Sequence, residues 1–404
     1  MTDIQPESDL LTPIVSRFLK VEDLTWGNPK KEFIVRYRGQ LYNEDSTAAY
    51  DQLAATLRPM EITPLFRLEG KRHIILLMQG IIRPKESKIW VNIVLFAATV
   101  LSVLLAGAIY TYQGPEPSDP TELAYNLLLS LWKGLPFAIS LLSILLAHEF
   151  GHYLAARYHK TKVTLPYFIP FPLSAFGTMG AFINIKELPK NKRVMLDIGL
   201  AGPLAGLVIA IPVLLLGIAL SPVERLPQTV PPEQGFMLEG NSALYLMAKY
   251  VVKGELLPQP AEPPAHPVLY WVRYIFTGTP LPWGGRDVMM HPIAWAGWAG
   301  LLVTAINLIP AGQLDGGHLM YVLLGRKAIR FVPFIIGALI LLGFVWSGWW
   351  LWAFLIFMLG RVYMEPLDQI TPLDPPRKAL AVVGVILFFL VFTPVPMLQI
   401  IGGM

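Results

Sequence analysis

From about residue 90 onward the chain is repeatedly apolar over stretches longer than the core-facing stripe of a soluble helix. Residues 91–112, 198–223 and 331–360 contain no Asp, Glu, Lys or Arg at all. An α-helix rises about 1.5 Å per residue, so about 20 apolar residues cross a hydrocarbon core about 30 Å thick. Inside that core backbone polar groups are satisfied only in helices or closed barrels. Composition agrees: 54% of the 404 residues are hydrophobic and 15% charged, against roughly 25% charged in a soluble domain. The expected fold class is an all-α polytopic membrane protein.

Further spans are expected at 134–147, continuing as helix to near Arg157, at 289–314 and at 379–395. As one helix, 331–360 would be about 45 Å long, long for one crossing and short for two. A tight turn at Ser347-Gly348 makes it a hairpin, which returns Arg361 to the side of the other basic residues and brings the total to about six to seven transmembrane helices. Trp346, Trp349, Trp350 and Trp352 around that turn suit an interfacial belt or hairpin packing. Lys71, Arg72, Arg83, Lys85 and Lys88 precede the first span. Arg157, Lys160 and Lys162 follow the second, Lys190, Lys192 and Arg193 precede the third, Arg326, Lys327 and Arg330 follow the fourth, and Arg377 and Lys378 open the last. The positive-inside rule places them all on the cytoplasmic side.

Residues 1–88 differ: charges recur throughout and apolar runs are short. Residues 33–42 alternate like a strand, Ser46–Leu57 has helical spacing with Ser46 at the N-cap, and 62–68 with 73–79 form a hairpin around Glu69-Gly70-Lys71-Arg72. This predicts a small N-terminal α+β soluble domain on the cytoplasmic side, a regulatory or docking module or a solubilising head, followed by a membrane domain over 89–404. Within the latter, 221–288 is a Pro-rich non-cytoplasmic insertion with one amphipathic patch at 243–252 and no strand period that would support a PDZ-like domain. The polar, acidic start MTDIQPESDL has neither the pattern of a signal peptide nor that of a transit peptide, and reads as an uncleaved bacterial product or an already mature chain. The net charge of +4 comes from 32 basic and 28 acidic residues. The basic ones sit beside apolar segments, so no nucleic-acid surface is expected.

The chain has no Cys, so a metal would have to rest on imidazoles and carboxylates. The second span contains His148-Glu149-Phe150-Gly151-His152, in which two His one helical turn apart share a face and can grip one ion. Neutral imidazoles suit zinc, and Glu149 is placed to take a proton from an activated water. An ionisable group at mid-membrane costs about 2.5–3.5 kcal/mol on insertion scales, which makes such a cluster functional by default. The third ligand comes from Asn307-Leu308-Ile309-Pro310-Ala311-Gly312-Gln313-Leu314-Asp315-Gly316-Gly317. Counted along the helices, His148 and Asp315 lie at similar depth from their own basic clusters, roughly 13–17 Å. Two His and one Asp leave an open position, as a catalytic zinc requires. Pro310, Gly312, Gly316 and Gly317 should break the helix, which is tolerated where protein or an internal aqueous cavity accepts the freed backbone groups.

HEFGH on one span and NLIPAGQLDGG on a later one, with Ala201-Gly202-Pro203 between them, resemble the site-2 protease family of intramembrane zinc metalloproteases. The resemblance runs from about Ile144 to Gly317. The soluble head, the lack of a PDZ domain and the LDPPRKAL segment resemble the cyanobacterial and plastid branch. The resemblance implies His148, His152 and Asp315 as zinc ligands and Glu149 as catalytic base. It also implies Asn307 as a second catalytic residue that holds the scissile carbonyl or its oxyanion; satisfying the carbonyls freed near Pro310 is the other reading of Asn307. The Pro- and Gly-interrupted segment 163–187 matches a membrane-embedded strand and loop, either a free edge that pairs with unwound substrate or a re-entrant closure of the cavity. His318, one turn after Asp315, either supports a metal ligand or is a packed helix residue, and His73, His159, His266 and His291 are structural or solvated.

The implied activity is zinc-dependent hydrolysis within transmembrane segments of membrane-anchored substrates, in a bacterial inner membrane or, in the photosynthetic branch, the thylakoid. The partners are those substrates and the bilayer, and the sequence carries no signature of an oligomeric state. A zinc transporter should show polar residues along a through-path, which the spans lack. A catalytically silent zinc-binding or chaperone protein has no use for Glu149.

Overall fold

Alternating burial along the first eighty residues is the signature of a sheet covered on one face. The computed structural model describes residues 5–27, 33–43, 45–81, 87–112, 119–229, 235–360 and 362–401. Arg83, Lys85 and Arg361 of the orientation argument and residues 230–234 of the Pro-rich stretch therefore lie outside the described residues. α1 (Gln5–Val15) leads to β1 (Leu19–Trp26), β2 (Val35–Leu41), α2 (Ser46–Leu57), β3 (Ile62–Glu69) and β4 (Arg72–Gln79). The strands form an antiparallel sheet in the order β1-β2-β4-β3. Val35, Tyr37, Phe66 and Ile75 pack with Leu53 and Leu57 of α2 in a core of their own. Ser46 is not the N-cap: Asp45 accepts the Thr47 N–H at 3.0 Å, which frees the Ser46 hydroxyl to donate to Asp368 at 2.7 Å.

Asp368 belongs to a strap, 365–371, that joins this sheet region to the helices. Phe66 N–H donates to the Leu367 carbonyl and Gln369 N–H to the Phe66 carbonyl, while on the strap's other side Leu367 and Asp368 N–H donate to the Pro189 and Lys190 carbonyls. The exposed edge of β3 is thus paired by a segment about 300 residues later in the chain, one of the ways a sheet edge is protected. Asp368 is fully buried and accepts from Ser46, Thr371 and the Ile370 N–H.

The helical part begins with α3 (Ile89–Tyr110), α4 (Pro120–Ser130) and α5 (Leu135–Tyr158), continues through the hairpin β5 (Tyr167–Pro170) and β6 (Thr178–Phe182), and reaches α6 (Lys192–Leu220). Ile89–Tyr110, Ala124–Tyr158 and Lys192–Leu220 are long and apolar enough to cross a membrane. After the insertion come α9 (Pro292–Asn307), α10 (Asp315–Leu324), α11 (Val332–Gly343), α12 (Gly348–Leu359) and α13 (Pro375–Val391), once α7 (Ala243–Lys253) and α8 (Pro267–Thr277) are numbered within it. The expected turn between α11 and α12 falls at 344–347. Trp349 is buried there and donates its indole N–H to the Pro394 carbonyl at 2.6 Å, so this tryptophan packs the hairpin. The largest core lies between α5, α6 and α9, with Leu141, Leu145, Leu207, Ala210, Trp298 and Leu302 at its centre. At one end of the bundle, facing the N-terminal sheet, Lys190 pairs with Asp51 at 2.5 Å, Arg193 with Asp45 at 3.4 Å and Arg377 with Asp197 at 2.5 Å. We refer to this as the basic end.

The insertion, read from sequence as lacking strand periodicity, contains two short ladders: β7 (Val223–Arg225) with β9 (Arg286–Val288), and β8 (Gly235–Glu239) with β10 (Met397–Ile401). Partners so distant along the chain leave no local period to detect. The amphipathic patch is α7, capped by Ser242. Its Lys249 is fully buried and donates to both Glu239, at 3.2 Å, and Asp287, at 3.1 Å; Tyr245 also donates to Glu239. One ammonium faces two buried carboxylates. Burial pushes Asp287 up to about 6, with Lys249 opposing and Glu239 adding to the rise. The folded chain therefore holds this proton more tightly than the unfolded chain does. Stability from this site is complete below about pH 4 and is lost as pH rises through about 6, on the order of 3 kcal/mol. Asp287→Asn should flatten that part of the melting-temperature-versus-pH curve of the full chain in detergent, and an unchanged curve would exclude Asp287 as its source.

Candidate metal centre

α5 is built from leucines and isoleucines that seat it against α6 and α9, so His148, Glu149 and His152 in its second half are carried into the interior. His148, Glu149 and His152 are all buried. His152 Nδ1 lies 2.7 Å from the Ile198 carbonyl of α6. That contact requires an N–H on Nδ1, which leaves the Nε2 lone pair pointing inward. The face of α6 beneath the imidazoles is glycine: a Cβ on Gly199 would lie 3.2 Å from His318, one on Gly206 3.1 Å from His148, and one on Gly202 only 2.0 Å from His152 Nε2. Small residues at such spacing let helices and rings approach closely in a membrane.

The fourth apolar stretch is not one helix. α9 stops at Asn307 because Pro310 would remove an N–H and clash one turn back, and Gly312 takes a left-handed φ of 59°, open to glycine at little cost. Residues 308–314 form the break and α10 starts on Asp315. Gly316 and Gly317, expected in the break, lie in the first turn of α10 instead. The turn brings Asp315 to the two imidazoles: Oδ2 is 3.3 Å from His148 Nε2 and Oδ1 is 3.3 Å from His152 Nε2, and the two Nε2 atoms are themselves 3.3 Å apart. Asn307, the last residue of α9, places Nδ2 3.3 Å from His148 Nε2.

The donor set fits a tetrahedral divalent ion. Bonds of about 2.0–2.1 Å to nitrogen and oxygen set ligand atoms about 3.3–3.4 Å apart in a tetrahedron; the two Nε2 atoms have that spacing, and each lies 3.3 Å from one oxygen of the Asp315 carboxylate. Two ring nitrogens and a carboxylate converge in a buried space, where a bound cation or a shared proton is needed to offset their repulsion. The neighbouring cavity, about 170 Å³, is lined by Glu149, Phe182, Asn307, Gln313 and His318 among others. Glu149 Oε2 and His318 Nδ1 are buried there with no hydrogen-bond partner among the described residues, so both can meet a water or a substrate atom. His318 therefore borders the cavity while also packing on Gly199; Gln313 and Phe182 were not singled out in the sequence. The other histidines lie elsewhere: His73 accepts the Leu41 N–H, His159 pairs with Asp197, His291 accepts the Ile293 N–H, and His266 stands before α8.

A family model described as peptidase family M50 matches residues 136–344, which holds every residue of this constellation. The chain belongs to peptidase family M50. As an M50 member it is 30% identical over 284 residues to the Arabidopsis thaliana protein named "probable zinc metalloprotease EGY1, chloroplastic", covering 69% of this chain and 46% of that one. The EGY1 protein of Oryza sativa subsp. japonica is 28% identical over 79% of this chain and 53% of its own, and an EGY2 protein of Oryza sativa subsp. indica 30% identical over 74% and 50%. The chain thus spans about half the length of these relatives. No solved structure matches it.

Proposed function

We propose that this chain is a zinc metalloendopeptidase that hydrolyses peptide bonds within transmembrane segments of membrane-anchored proteins, in a bacterial inner membrane or a thylakoid membrane. The observation that carries the reading is the trio His148, His152 and Asp315 at mutual 3.3 Å spacing beside Glu149, whose Oε2 has no partner among the described residues. The family and the printed names of the relatives support it. In this reading the shorter apolar helices α9 to α13 complete six or seven crossings, and residues 1–88 form a cytoplasmic-side module.

His148, His152 and Asp315 would hold the zinc, which would supply the Lewis acidity that lowers the pKa of a water and polarises a carbonyl. Glu149 takes the proton of the attacking water at Oε2 and passes it to the leaving nitrogen. His152 keeps the required tautomer through Ile198. Asn307 is placed to donate from Nδ2 to the carbonyl oxygen as charge builds on it. A helical peptide bond is shielded by its own hydrogen bonds, so the substrate must unwind. The edge of β6 not paired to β5, with Met179 and Phe182 exposed, offers main-chain partners for the extended segment.

The test is purified full chain in detergent with a single-span substrate. Expected are about one zinc per chain, cleavage lost with a chelator and restored by zinc, and a cut mapped by mass spectrometry inside the apolar segment. Asp315→Ala should lose both zinc and cleavage. Cutting confined to flanking soluble sequence would sink the intramembrane reading, and full zinc content in Asp315→Ala would sink the ligand set.

A further inference from the structure

At the basic end, where α5 leaves the bundle and the chain approaches α6, a cavity of about 570 Å³ lies between the helices and the N-terminal sheet region. Its walls come from α2 and β3 on one side and from residues 159–162 and 187–190 on the other. Four cationic side chains line it, Arg58, Lys160, Lys162 and Lys190, against two acidic ones, Asp51 and Glu187. Lys190 is paired with Asp51 and Lys162 with Glu187. Among the described residues no carboxylate pairs with Arg58 or Lys160, so the cavity carries an excess of two positive charges. The floor is apolar, with Ala54, Ile62, Pro64 and Leu188.

Lys160 adds a second, independent sign. Its φ is 57°, the left-handed conformation in which a helix commonly ends and in which glycine or asparagine is favoured. A lysine there is less favourable than a glycine. Strained positions of this kind concentrate where a side chain has a task.

We propose that this cavity is a binding site for a phosphate-bearing anion that bridges the N-terminal sheet region to the end of the metal-bearing helix. Its volume suits a phosphorylated headgroup or small molecule. Basic pockets beside transmembrane helix ends recognise anionic headgroups, and this one borders the end of α5 and lies two residues before α6. The same chemistry is offered by a soluble phosphate compound entering from the aqueous side. An occupant would neutralise Arg58 and Lys160 together and so tie α2 to the turn after α5.

The test uses full-length protein in nanodiscs of phosphatidylcholine alone or with phosphatidylglycerol, and in the neutral discs with inorganic phosphate or ADP. In wild type, the phosphatidylglycerol discs or the soluble phosphates should raise the melting temperature by about 3 °C; which arm does so assigns the source. The double variant Arg58→Gln, Lys160→Gly should lose most of that shift. Because glycine relieves the left-handed strain, its melting temperature in neutral discs should equal or exceed that of Lys160 with Arg58→Gln alone. A double variant that keeps the full shift, or a wild type that shifts with neither source, overturns the proposal. A variant that melts early in neutral discs while keeping its response does so too, since Lys160 would then be structural.

Discussion

Glu149→Gln is expected to lower cleavage of a membrane-embedded substrate by about 10²–10⁴-fold while leaving zinc in place. General acid–base catalysis supplies that range, and glutamine keeps the size and hydrogen-bonding reach of the side chain while losing its capacity to take a proton. The split between activity and metal content is what distinguishes this role from the alternatives. Glu149 is not one of the three residues whose ligand atoms converge, so its removal should not empty the site. Its Oε2 has no partner among the described residues although it is buried, an arrangement that costs stability unless another molecule uses it. Glu149→Gln should therefore melt at or slightly above the wild-type temperature. Retained cleavage with retained zinc would remove the proton-transfer role, whereas loss of zinc would move Glu149 among the groups that hold the ion.

What the sequence made legible follows from how local each cause is. α2 and the β3–β4 hairpin arise from period and turn chemistry within a dozen residues, and both lie close to the expected places. The pair His148 and His152 was readable because helical geometry alone puts residues four apart on one face. Asp315 was readable as the acid within a helix-breaking stretch, although the exact break was not: whether Gly316 and Gly317 end a helix or begin one depends on the Leu308 and Gly312 carbonyls against which they pack. The strap at 365–371 left no signal. Its hydrogen bonds run to Phe66 and Pro189, and Asp368, one of the most buried carboxylates, reads in sequence as an ordinary loop residue. The same holds for Lys249, which looks like the polar face of an amphipathic helix until Glu239 and Asp287 arrive from other segments. Gly202 was noticed only as part of Ala201-Gly202-Pro203, without a reason for the glycine.

That reason yields the second large effect. Gly202→Ala should cost most of the bound zinc and at least about 100-fold in activity, the penalty expected when a reacting group is misplaced by about 1 Å. The alanine Cβ would fall 2.0 Å from His152 Nε2 and 2.3 Å from its Cδ2, well inside contact distance. The imidazole is held between that methyl and the Ile198 carbonyl on its other nitrogen, so it can yield only by giving up the hydrogen bond that fixes its tautomer or by leaving Asp315. α6 cannot retreat as a unit, because Gly151 of α5 already packs its Cα against the Ala201 carbonyl, where a Cβ would meet oxygen at 2.4 Å. Gly206→Ala is the graded control: its Cβ would sit 3.1 Å from His148 Nδ1, a crowding of a few tenths of an ångström, and should cost several-fold less. Zinc content and cleavage measured on the two variants side by side decide the matter. Equal losses would mean that α6 tolerates or rejects side chains without regard to the rings above it, and an active, metal-loaded Gly202→Ala would show that His152 does not need the position in which this structure holds it.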